Sequence, residues 1–150
     1  MKIVIDTNII VSGATDENSY AFRIIKEVID GRIEAFATHQ TMSENRQMLR
    51  KLVRDREYRE TLEEYFRYLQ IVKVFQPLNV VADSEDNKLF ESAASSGADY
   101  LITNDQEVLA VGKYHNTEVV TPAEFWTKYT AESSDGDSAW NDWSRMVMGN

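Results

Sequence analysis

The sequence predicts a three-layer α/β/α sandwich built on a mostly parallel sheet. Three observations predict it. Short apolar runs, Ile3-Val4-Ile5 and Tyr100-Leu101-Ile102-Thr103, read as strands buried on both faces, as central parallel strands are. Stretches with apolar residues at spacings of three and four lie between such runs, giving strand–helix alternation. Helix-start and helix-stop residues fall at the joints. A length of 150 residues fits one such domain.

In chain order, Ile3-Val4-Ile5 is the first strand. A helix from about Ser19 to Asp30 follows, with Ala21, Ile24, Ile25, Val28 and Ile29 on one face and Gly31 as a left-handed stop. Ile33 to Ala37 is a second strand. Thr41-Met42-Ser43-Glu44 has the spacing of a capping box and predicts a helix through about Val53. Another helix spans about Glu57 to Leu69, with Tyr58, Leu62, Tyr65, Phe66 and Leu69 on one side. Ile71 to Phe75 reads as a strand ended by Pro77.

The acidic turn Asp83-Ser84-Glu85-Asp86 then leads into a helix carrying Leu89, Phe90, Ala93 and Ala94, stopped at Ser96-Gly97. Tyr100–Thr103 is a strand, Asn104-Asp105 opens a short helix through Val111, and Glu118-Val119-Val120 is the last strand. Thr121-Pro122-Ala123-Glu124 starts the final helix, with a capping threonine, a first-turn proline and a glutamate three residues on. The domain is expected over residues 1–130. The remainder, 131–150, turns to Ser, Asp, Gly and Asn and reads as a flexible or partner-docking tail bearing Trp140, Trp143, Met146, Val147 and Met148.

Composition narrows the chemistry. With no cysteine, a disulfide framework, thiolate zinc sites and a cysteine nucleophile are all excluded. Asp6 interrupts the first apolar run too early for a signal peptide or membrane span, so a soluble, cytoplasmic protein is expected. The formal charge of −9 argues against tight nonspecific binding to long duplexes. The last twenty residues hold −3 of it, while Arg46, Arg50, Lys51, Arg54, Arg56 and Arg59 crowd one stretch. That stretch reads first as a solvated helix face with Asp55, Glu57 and Glu60 as ionic partners. Contact of Arg46, Arg50 and Arg54 with an RNA backbone is the sharper alternative.

Four acids carry the functional argument. Asp6 and Asp105 stand just beyond the ends of apolar strands, where open parallel sheets place their ligands. Glu44 and Asp86 stand in the first turns of helices, and helix N-termini share that edge of the sheet. Two carboxylates about 4 Å apart repel by roughly 4 kcal/mol at an effective dielectric near 20. Several such pairs would consume much of a domain's stability of about 5–15 kcal/mol, so convergence calls for a cation. Oxygen-only donors without Cys or His at ligand spacing favour Mg²⁺ or Mn²⁺. Each acid also has a plainer reading: Asp6, Asp83 and Asp105 as caps, Glu44 as a capping-box partner, Asp86 as a charge on a helix dipole.

Ile3-Val4-Ile5-Asp6-Thr7-Asn8 resembles the start of a PIN-domain nuclease. Asp83-Ser84-Glu85-Asp86-Asn87, then Ala98-Asp99-Tyr100-Leu101-Ile102-Thr103-Asn104-Asp105 and Val120-Thr121-Pro122-Ala123-Glu124-Phe125, extend the resemblance in order from Lys2 to about Lys128. The resemblance implies metal ligands and catalytic groups at Asp6, Glu44, Asp86 and Asp105, with supporting roles for Asn8 and Thr103. Asp83 competes with Asp86 for the ligand position. Asn104 departs from the small residue usual before the last aspartate and either narrows the pocket or adds a substrate contact.

It further implies a Mg²⁺- or Mn²⁺-dependent ribonuclease, with the toxin components of toxin–antitoxin pairs as the most similar subgroup. An RNA substrate, an antitoxin protein and a homodimer are the partners so implied. A non-catalytic PIN-like module binding protein or RNA is the alternative. A small-molecule phosphatase is weakened because Asp6-Thr7-Asn8 lacks the second aspartate of the usual nucleophile motif.

Overall fold

β1 (Lys2–Ile5) lies near the middle of a six-stranded sheet, and Ile3, Val4 and Ile5 are all buried. The computed structural model describes residues 1–12 and 19–132. The spatial order is β3 (Gln70–Ile71), β2 (Glu34–Ala37), β1, β4 (Tyr100–Ile102), β6 (Thr117–Val120), β5 (Lys113–Tyr114). Neighbours are parallel except the β5–β6 pair. Ile5 stands opposite Ile102, and Ile102 opposite Val120, so three strand ends finish level.

The chain steps from β1 outward to β2 and β3, then returns to β4 on the other side of β1. The order of strands reverses there, and such switch points open a crevice at the carboxyl edge. Residue alternation divides the core between the two faces. Ile3, Ile5, Ala35, Ile102 and Val120 pack with Ile24, Ile25, Leu62, Tyr65 and Phe125. Val4, Phe36, Leu101 and Val119 pack on the other face with Leu89, Phe90, Ala93 and Val108. The predicted three-layer α/β/α sandwich is the fold observed.

The helices are α1 (Thr7–Ser12), α2 (Tyr20–Ile29), α3 (His39–Leu52), α4 (Arg56–Tyr68), α5 (Ser84–Ser96) and α6 (Gln106–Leu109), with residues 122–132 forming α7. Residues 131 and 132, expected in the tail, continue α7; the rest of that segment, 133–150, lies outside the described residues. No helix of the described chain is long and apolar enough to cross a membrane.

Two expectations need correction, and two elements were not foreseen. The helix expected to open at the Thr41 capping box begins a turn earlier. Thr38 is its cap, and its hydroxyl accepts the Thr41 N–H at 3.1 Å. That leaves Glu44 in the second turn with its side chain free of any capping duty. The strand expected over Ile71–Phe75 is only Gln70–Ile71, because its partner β2 ends at Ala37. The Val72 N–H makes the last bond across, to the Ala37 carbonyl, and Phe75 is left 88% exposed. Helix α1 is unpredicted, since six residues are too few to show a period. The β5–β6 hairpin is also unpredicted, its turn held by His115 at φ 52°.

Asn87, buried in the first turns of α5, fixes the segment leading into that helix. Its side-chain oxygen accepts the N–H groups of Val80 and Val81 at 2.9 Å, and its amide donates to the Val81 carbonyl at 2.8 Å. Asn87→Ala leaves these backbone groups without partners and should cost about 1–3 kcal/mol. Urea unfolding checks this; an unchanged midpoint would show that water or a shifted loop replaces the three bonds.

Candidate functional site

At the carboxyl edge of the sheet lies a cleft of about 220 Å³ lined by Asp6, Thr7, Asn8, Thr41, Glu44, Met48, Glu85, Asp86, Lys88 and Leu89. Asp6 enters from the end of β1 and is 9% exposed. Its Oδ1 accepts the Asn8 N–H at 3.1 Å, and its Oδ2 accepts the Thr103 hydroxyl at 2.8 Å. Thr103, fully buried beyond β4, in turn accepts the Asp105 N–H at 3.0 Å. A chain of hydrogen bonds thus runs from the end of β1 to the start of α6, across the switch point.

Asp83 and Asp105 are both helix caps. Asp83 Oδ1 accepts the N–H groups of Glu85 and Asp86 at the start of α5. Asp105 Oδ1 accepts those of Glu107 and Val108 at the start of α6. These bonds supply partners to donors that a helix N-terminus leaves unpaired. Asp86 is not so engaged and faces the cleft. Burial, then the neighbouring Asp105, Asp83 and Asp6, push its carboxyl up to about 6 from an ordinary 3.8. Asp6, Asp86 and Asp105 therefore form one electrostatic group, although Asp105 does not line the cleft itself.

Glu44 lies across the cleft on α3. Its Oε1 accepts the Gln40 amide at 3.2 Å and stands 3.7 Å from the Lys88 ammonium. Lys88 is itself fastened to Glu85 at 3.0 and 3.1 Å, and that hydrogen bond holds its ammonium above its ordinary value. The sequence reading missed Lys88, although its position three residues after Glu85 in the acidic turn was a visible signal. It also missed Asn45, which is buried and accepts a hydrogen bond from the Thr7 hydroxyl, tying α1 to α3 beside the cleft.

Of the expected RNA-contacting bases, Arg46 lays its guanidinium over the Phe66 ring at 5.5 Å, while Arg50 and Arg54 are exposed. None of the three lines the cleft. Arg56 pairs with Glu60 at 3.3 Å, as the solvated-face reading holds. Asn104 faces away from the cleft and lines a separate hollow beyond α1.

The acidic donors are all oxygen, and the Asp86 carboxyl feels four negative neighbours, Asp105, Asp83, Asp6 and Glu107, so the cleft suits a hard divalent cation. Among the described residues no three acids stand close enough to form a ready cage. That is compatible with Mg²⁺, which keeps several waters and is bound through one or two carboxylates.

An open α/β sheet with acids gathered at its switch point defines the class of protein. Residues 2–107 match the PIN domain, and the chain belongs to the PIN-domain family. PIN domains are in general metal-dependent nucleases, so nuclease activity is the class of function that membership supports. No curated protein and no solved structure matches the chain.

The raised Asp86 group has a thermodynamic consequence. Its charged form is disfavoured in the fold, so the cost is absent below about 3.8 and grows as pH rises through about 6. Solvent screening at this partly exposed group keeps the effect near 1 kcal/mol. Asp86→Asn should therefore raise the melting temperature at about pH 8 by about 2–4 °C, a gain that shrinks towards about pH 4. A loss of stability at about pH 8 would mean that Asp86 holds the fold together.

Proposed function

We propose that the protein is a Mg²⁺- or Mn²⁺-dependent endoribonuclease and the toxin component of a toxin–antitoxin pair. The observation that carries the nuclease reading is Asp6: a buried acid at the switch point, bonded on both oxygens and open to a cleft that it shares with Glu44 and Asp86. Asp6 and Asp86 hold the ion, and Glu44 and Asp105 complete the acidic set around it. When bound, the ion supplies charge neutralisation for the phosphate and for the departing oxygen.

The chain's own residues do the rest. Thr103 and the Asn8 N–H keep the Asp6 carboxylate in one orientation. Glu44, across the cleft, orients the attacking water. The water oxygen bonds to phosphorus and releases one proton to solvent as the P–O bond to the leaving ribose oxygen breaks, and that oxygen takes up one proton. Asp83 acts through α5, whose first turn it caps and whose Asp86 it thereby positions. The toxin reading rests on resemblance alone. An antitoxin segment carrying arginine would pair with these carboxylates bidentately and close the cleft. A homodimer and a cytoplasmic site of action belong to the same reading.

End-labelled RNA incubated with purified protein in EDTA, Mg²⁺ or Mn²⁺ tests the activity. Cleavage should need the ion. Asp6→Asn should lower it at least about 100-fold, with the circular-dichroism spectrum and melting temperature nearly unchanged. Intact RNA in every lane, with folded protein and several RNAs tried, would favour the non-catalytic binding module.

A further inference from the structure

A second hollow, of about 240 Å³, opens on the same edge of the sheet as the acidic cleft. Helix α1 is the ridge between them. Thr7 and Asn8 on its first turn line the cleft, whereas Ile9 and Ser12 line the hollow. Six residues make α1 about 9 Å long, a short span for an extended strand of nucleic acid. The far wall comes from Asn104, between Thr103 and Asp105, and from Pro122 at the start of α7. The hollow is smaller than the roughly 300–1,000 Å³ that houses a drug-sized ligand, which fits a single heterocycle.

Its rim has the chemistry of a base site. Tyr20, the first residue of α2, is 44% exposed and is one of the residues lining the hollow. The Arg23 guanidinium rests over the Tyr20 ring at 5.6 Å and over the Trp126 ring at 5.9 Å. Among the described residues Arg23 is in no ion pair, so its charge is not spent on a neighbouring carboxylate. Asn104 is exposed, and its side-chain amide makes no hydrogen bond among the described residues. The floor, with Ile9 and Pro122, is apolar.

We propose that this hollow takes one unpaired nucleobase of the RNA strand whose scissile phosphate lies in the acidic cleft. The base stacks on Tyr20, the Asn104 amide hydrogen-bonds its edge, and Arg23 meets the adjoining phosphate. Single-stranded RNA is read in this way, by stacking on aromatic rings and by hydrogen bonds to exposed base edges. A duplex keeps its bases stacked inside and offers none to the hollow. The inference rests on the ribonuclease reading and adds to it a base site outside the acidic cleft, formed by Tyr20, Asn104 and Arg23.

Binding, not cleavage, tests it. Fluorescence anisotropy of a labelled single-stranded RNA is followed as the full-length Asp6→Asn chain is added with Mn²⁺ present. Tyr20→Ala should weaken binding about ten-fold, and Tyr20→Phe, which keeps the ring, should change it less than about two-fold. Arg23→Ala should weaken binding and lower the slope of log Kd against log salt by about one. A duplex of the same sequence should compete poorly.

If the parent binds and Tyr20→Ala binds equally well, the base site is overturned while the ribonuclease reading stands. If Tyr20→Ala instead changes the sedimentation of the protein alone and leaves RNA binding intact, the hollow belongs to a second copy of the chain. If neither the Asp6→Asn chain nor the unmutated chain in EDTA binds single-stranded RNA, the base site is overturned, and the cleavage assay decides the ribonuclease reading separately.

Discussion

The structure turns on one buried hydrogen bond, from the Thr103 hydroxyl to the Asp6 carboxylate. A buried acid without partners would cost several kcal/mol, and nothing apolar around β1 and β4 could compensate it locally. Thr103 supplies the partner and, through its bond from the Asp105 N–H, extends the connection into α6. The link lies just past the last level residues of the two strands, Ile5 and Ile102. It adds a side-chain bond to the backbone bond from the Asp6 N–H to the Ile102 carbonyl, at the point where the strand order reverses. The remaining acids are arranged around the point that it fixes.

The chain divides its acids between two tasks. Asp83 and Asp105 turn towards backbone N–H groups, where helix starts supply several donors with partial positive charge. Asp6, Glu44 and Asp86 face the cleft, and there burial, then the neighbouring Asp105, Asp83 and Asp6, raise the Asp86 group. Lys88 offsets part of the negative charge from within, standing between Glu85 and Glu44. A fold that concentrates negative charge at one edge and fastens it with buried bonds is strained in favour of a cation. This is a physical reason for a PIN domain to retain the arrangement at a cost in stability.

Helix α1 organises the same edge in a second way. It is short, and it is tied to α3 through Thr7 and Asn45 and to α4 through the Tyr58 hydroxyl, which donates to the Ile10 carbonyl. Held on both sides, it separates an acidic cleft suited to phosphate and cation from an apolar hollow suited to a flat ring. On the proposed reading, one strand of nucleic acid engages both, with α1 between them.

How much of this was legible in the sequence depended on the range of the interactions. Buried strands and amphipathic helices show as local periods, so the alternation around Ile3-Val4-Ile5, Ile24-Ile25 and Leu101-Ile102 determined the layer architecture without help. Turn chemistry is equally local, which is why Gly97, in the left-handed region at the end of α5, was foreseeable. The four acids were legible as residues at the ends of elements. Tertiary structure alone decided the rest. Thr38 displaced Thr41 as cap because β2 ends where it does, and β3 stopped at Ile71 for want of a partner beyond Ala37. Asn104, next in sequence to the site, faced another hollow, while Lys88 entered the cleft through the pitch of α5. Sequence determines which residues stand near a strand end; the direction a side chain takes there depends on the neighbours that packing brings from far along the chain.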